Sequence, residues 1–108
     1  MEKIKSGDIM KGNWDMRIVT AVNEVDCWYV DYDKQSAAGY FYNPCKACVS
    51  LNAMKKYEKV GEIPKEVMDK LLLDLTNVIS AHNEAFMLLE REINGNSEYD
   101  INQFITIK

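Results

Sequence analysis

The sequence predicts an α+β domain. Its parts are a small, bent antiparallel sheet or SH3-like barrel over residues 8–60, one long amphipathic helix over about 64–93, and a returning C-terminal strand over 100–107. Three observations carry this expectation. Residues 16–32 alternate with a period of two around a turn pair, a long apolar stripe of helical period follows Pro64, and strand alternation resumes after Asp100.

In the first half, Asp8-Ile9-Met10 reads as a short opening strand after the Ser6-Gly7 turn signal. Met16, Ile18, Thr20 and Val22 alternate with Arg17, Val19 and Ala21, and Asn23-Glu24 offers a tight turn. Val25 to Tyr32 then places Trp28, Val30 and Tyr32 on one face and Cys27, Tyr29 and Asp31 on the other. Asp33 to Gly39 is a polar loop, and Gly39 to Tyr42 an aromatic strand ended by Asn43-Pro44, because proline has no ladder donor. Cys48 to Leu51 is a further short strand, Asn52 caps a short helix through Tyr57, and Gly61 closes this half.

The second half changes period. Pro64 fits a first helical turn, Glu62, Glu66 and Asp69 suit the positive end of the dipole, and Arg91 suits the negative end. Leu71, Leu75, Val78, His82, Ala85 and Leu89 recur in steps of four and three, a heptad-like seam that Met68, Leu72, Ile79, Phe86 and Ile93 widen. A continuous helix of this length would run about 45 Å at 1.5 Å per residue, more than a small domain covers. It therefore either breaks near residue 80, where Asn77, Ser80 and Asn83 gather, or packs part of its stripe on another chain. Gly95 is expected as a left-handed cap.

At 108 residues the chain is expected to form one domain, with a β-rich half (1–61), a helical segment (62–95) and a C-terminal strand (96–108). No apolar run is long enough to span a bilayer and the N-terminus lacks an apolar signal core, so a cytoplasmic protein is expected. The net charge of −4 is uneven, with nine Lys/Arg against eight Asp/Glu through Gly61 and four against nine from Glu62 onward. There is no basic block, which disfavours direct nucleic-acid binding; only a local patch at Lys55, Lys56 and Lys59 stands out.

Chemistry-bearing residues are few. Cys45-Lys46-Ala47-Cys48 could supply two zinc thiolates, but only Cys27 and His82 remain as further soft ligands, so no metal and no cofactor is expected. A redox role would need a βαβ setting that is lacking, and the odd count of three cysteines reads as free thiols. His82 lies on the apolar seam, where a core or register-setting histidine is commoner than a catalyst. Asp26, Asp31 and Asp33 beside Trp28, Tyr29 and Tyr32 form an acidic–aromatic edge, or simply a solvated strand face protected from edge pairing.

The leading expectation is a non-enzymatic, protein-binding accessory or inhibitory protein acting as a homo-oligomer, by analogy with small acidic proteins of phages and mobile elements. Leu71, Leu75, Val78, His82, Phe86 and Leu89 would form its interface. One alternative is a small-ligand or nucleotide-binding protein. Its pocket would lie between the aromatic strands and the helix, with Arg17, Tyr40, Tyr42, Asn83 and Arg91 as candidates. Another is a zinc-stabilised interaction module.

Overall fold

The computed structural model describes residues 3–35, 39–80 and 83–107, with the side chains at 43–46, 78–80, 83–84 and 86–87 outside that description. The alternation of residues 16–32 becomes an antiparallel pair, β2 (Met16–Val22) and β3 (Asp26–Tyr32). Asn23 turns the chain between them: its Oδ1 accepts from the amides of Val25 at 2.8 Å and Asp26 at 2.6 Å. β1 (Asp8–Lys11) pairs with β2, and β4 (Phe41–Ser50) pairs with β3. β5 (Glu58–Glu62) pairs with the other side of β1, giving the antiparallel order β4-β3-β2-β1-β5. β4 and β5 therefore lie at opposite ends of an open sheet, so the α+β class stands while the closed SH3-like barrel does not form.

β5 was not expected, since Glu58, Lys59, Gly61 and Glu62 have low strand propensity. Tertiary pairing overrides that preference, and Gly61 is where it matters. A Cβ there would stand 2.2 Å from the carbonyl oxygen of Phe104, because the C-terminal segment crosses directly over it. That segment is not the expected strand over 100–107. It makes two 3₁₀ turns, Ser97–Tyr99 and Ile101–Phe104, and only Ile105 bridges Gly61 at the free edge of β5. The amides of Thr106 and Ile107 donate to the Val60 carbonyl at 2.8 and 3.0 Å.

β4 also departs from expectation by running past Pro44 to Ser50. Its register passes from Tyr42 opposite Asp31 to Ala47 opposite Tyr29, so residues 43–46 stand against Val30 alone and the strand carries three extra residues there. An irregularity on an edge strand is where a proline is tolerated. α1 (Leu51–Met54) follows, capped by Ser50 rather than Asn52: the Ser50 Oγ accepts from the Ala53 amide at 3.2 Å.

Within the span of the expected single helix the structure describes two, α2 (Lys65–Ser80) and α3 (Asn83–Gly95), and residues 81–82 lie outside the described residues. The pair folds back on itself. Lys70, Asp74 and Asn77 of α2 share one hollow with Leu89, Glu92 and Ile93 of α3. A continuous helix of about 45 Å would outrun the 41 Å long axis of the molecule. Gly95 is the last residue of α3 and has no positive φ. The chain leaves instead through Asn96, whose amide donates to Ile93 O at 3.2 Å and whose side chain caps the next turn at the Glu98 amide, 2.9 Å away.

Strand alternation gives the sheet two apolar faces. Ile9, Ile18, Val30 and Phe41 meet Met68, Leu71, Leu75, Ile93 and Ile101 in the helix-covered core. Met10, Val19, Cys27 and Tyr29 meet Met54 of α1 in a smaller core on the opposite face.

Candidate functional site: the Trp14 turn

The smaller core ends in a rigidly held turn. Between β1 and β2, the Gly12 amide donates to Asp15 O at 2.9 Å, closing a four-residue loop that carries Trp14. The Asp15 carboxylate accepts from Tyr57 Oη, at 2.9 Å to each oxygen, and from Arg17 Nε at 3.1 Å. The Arg17 guanidinium is stacked between two rings, 4.1 Å from the centroid of Tyr29 and 4.6 Å from that of Tyr57. Glycine fits closely at position 12, where a Cβ would lie 2.6 Å from Asp15 Oδ1 and 2.7 Å from the Tyr57 ring and would displace one of them.

Burial and the hydrogen bond to Asp15 raise the Tyr57 hydroxyl above its ordinary pKa, and Arg17 partly opposes them. The phenol therefore stays protonated as the donor that pins Asp15.

This network ties the backbone on either side of Trp14 while leaving its ring 97% exposed. The ring stands between two shallow hollows, of about 190 Å³ toward Tyr32 and Lys34 and about 420 Å³ toward Lys56 and Tyr57. Lys11, Lys34 and Lys56 line them together with Asp15, Asp33 and Glu58. Asp33 accepts from Tyr42 Oη at 3.1 Å and the Gln35 amide at 2.8 Å, so the rim of the ring is of mixed charge, with Asp33 on its acidic side hydrogen-bonded in place.

The residues expected from sequence are dispersed. Leu71 and Leu75 are fully buried against the protein's own sheet, and Leu89 packs on the same core, so these three turn inward rather than toward a partner. The side chains of Val78 and Phe86, and His82 altogether, lie outside the described residues. The expected ligand pocket is not assembled among the described residues. Arg17, Asp31 and Tyr42 are register partners on the sheet face away from α2 and α3, whereas Arg91 is exposed on α3. Tyr40 is exposed beside Phe41, and the Asn83 side chain lies outside the described residues.

The thiols do not converge either. Cys27 pairs with Val49, which puts the neighbouring Cys48 on the opposite face; Cys27 is buried and Cys48 exposed. The Cys45 side chain lies outside the description, and among the described residues no three His, Cys, Asp or Glu side chains are placed to hold a metal.

Trp14 and the Asp15–Tyr57–Arg17 network were missed by sequence reasoning. The available signal was a tryptophan directly after the turn-forming Gly12-Asn13 pair, at a break in the strand alternation. No family profile, curated protein or solved structure matches this chain.

Proposed function

We propose that the protein is a non-enzymatic binding protein that docks on another protein through the Trp14 turn. The observation that carries this reading is a fully exposed indole on a turn held by Asp15, Tyr57 and the stacked Arg17. Tryptophan is enriched among interface hot spots, together with tyrosine and arginine, and a pre-ordered loop loses little entropy when it docks. The partner surface is an apolar slot for the indole with a polar rim of both signs, complementary to Lys11, Lys34 and Lys56 and to Asp33 and Glu58. An accessory or inhibitory role follows if that slot is a working site of the partner. The helix seam no longer argues for self-association, because Leu71 and Leu75 are engaged within the chain.

The test is cross-linking in the producing cell followed by affinity measurement with the purified partner. Trp14→Ala is expected to weaken binding on the order of 100-fold, as for an interface hot spot, with the unfolding midpoint unchanged. Retention of affinity within about threefold would overturn the reading.

A further inference from the structure

We propose that the Trp14 turn also docks on a second copy of this chain, each indole entering the hollow beside the other. The inference rests on the reading of this turn as a docking surface and adds an occupant that masks it. The hollow toward Tyr57 measures about 420 Å³ and is lined by Trp14 itself, with Lys11, Asp15, Lys56, Tyr57 and Glu58. At roughly 30 Å³ per water, it has room for about fourteen heavy atoms, enough for an indole with its methylene.

Two independent features select a second copy as the occupant. The first is geometry: Trp14 is 97% exposed and borders the hollow, so knob and hole are neighbours on one turn. An indole entering that hollow lies against the resident Trp14 and brings its own hollow up to the resident ring. The exchange is reciprocal about a two-fold axis, and it closes at two copies instead of growing into a chain. Both rings leave water together, and an aromatic side chain has about 150–250 Å² to bury.

The second feature is charge. Lys56 and Glu58 flank Tyr57 on the rim, and neither has an ion pair among the described residues. A rim of one sign would repel its own copy. This rim carries both signs, and a two-fold axis can set Lys56 of each copy against Glu58 of the other. Asp15 does not compete for these lysines, because its carboxylate is held by Tyr57 and Arg17 within the chain. Two rings and their rims make a contact below the roughly 1,200 Å² of a standard interface, so the dimer is weak and reversible. A second copy and a different partner then compete for one surface, and self-docking covers the turn until that partner displaces it.

The experiment is sedimentation equilibrium of the full chain, with the emission of Trp14 followed in a Trp28→Phe background. A monomer–dimer equilibrium with a Kd on the order of 10–100 µM is expected, with emission moving to the blue as the dimer fills. Trp14→Ala should raise the Kd at least about tenfold. Lys56→Glu should raise it severalfold, and Lys56→Glu/Glu58→Lys, which exchanges the two charges, should restore it. Urea midpoints establish that the variants are folded. A chain that stays monomeric to about 500 µM overturns the proposal, and so does a dimer indifferent to Trp14→Ala. Failure of the charge exchange to restore the dimer overturns the Lys56–Glu58 pairing. Affinity for the purified cellular partner, measured below about 1 µM where the chain is monomeric, separates this inference from the reading it rests on. Trp14-dependent partner binding by a chain that never dimerises overturns self-docking alone. A Trp14-dependent dimer whose partner affinity ignores Trp14 upholds self-docking and overturns only the docking on another protein.

Discussion

Asn94, on a helix, stands in for a missing strand beside Phe41. Its Oδ1 accepts from the Phe41 amide at 2.7 Å and its Nδ2 donates to the Phe41 carbonyl at 3.3 Å. One side-chain amide thereby satisfies both backbone groups of a 1%-exposed residue at the sheet edge and locks α3 to β4.

Asn94→Ala would leave the Phe41 amide and carbonyl buried without partners. The expected cost is about 2–4 kcal/mol, from two lost bonds with desolvation unrelieved. Urea unfolding measures it as a lower midpoint at constant slope. An unchanged midpoint would mean that the pair contributes nothing.

The helix seam can be separated from its solvent side by four alanine substitutions. Leu71 and Leu75 are fully buried, and removing either leaves a cavity that costs about 2–5 kcal/mol. Leu73 and Leu88 are 62% and 65% exposed, so their alanine variants should fall within about 0.5 kcal/mol of the wild type. If the exposed pair proved as costly as the buried pair, those residues would have to be packing against another chain.

The alternation of residues 16–32 specified β2 and β3, because period two ties side-chain direction directly to sequence. It gave the faces only as far as the irregularity at Thr20, beyond which Val22 pairs with Cys27 rather than sharing the face of Ile18. The i, i+4 spacing of Leu71 and Leu75 likewise identified the buried stripe of α2. It could not say what the stripe met, since periodicity gives a face and not its occupant. β5 was hidden because its stability comes from β1, not from its own charged residues. The C-terminal alternation misled for a related reason: Tyr99 and Ile101 reach the core from 3₁₀ turns, which supply apolar contacts at strand-like spacing. The Trp14 site was illegible because Asp15 and Arg17, Tyr29, and Tyr57 converge from three separate segments.

That convergence makes the Trp14 turn sensitive to substitutions that never touch Trp14. Gly12→Ala forces its Cβ against Asp15 and the Tyr57 ring and is expected to cost about 1–3 kcal/mol, as overpacking does. Arg17→Lys keeps the charge but loses the planar stack on two rings, costing about 1–2 kcal/mol. Both should increase the mobility of the Trp14 indole, read as a drop in its fluorescence anisotropy in a Trp28→Phe background. Unaltered anisotropy would show that the network does not hold the turn.

The buried Cys27 thiol and the Tyr32 and Tyr57 phenols should make stability fall at alkaline pH. Burial pushes the Cys27 thiol up to about 11, with Cys48 and Asp8 adding to the rise and Arg17 opposing it. The unfolded thiol titrates near ~8.5, so between there and about 11 the folded chain holds a proton that the unfolded chain has lost. Stability conferred by this group is therefore complete below the unfolded value and falls as pH rises through the folded one. Tyr32, raised by burial and by Asp100 and Asp33, and Tyr57 act with the same sign at higher pH. Urea midpoints should accordingly be flat near neutrality and decline above about pH 9. A Cys27→Ala variant should lose the early part of that decline. In a Cys45→Ser chain at pH 8, exposed Cys48 should react with a thiol reagent at once, while buried Cys27 reacts only at the rate of unfolding. Two equally fast thiols would place Cys27 at the surface and remove the physical basis for its raised pKa.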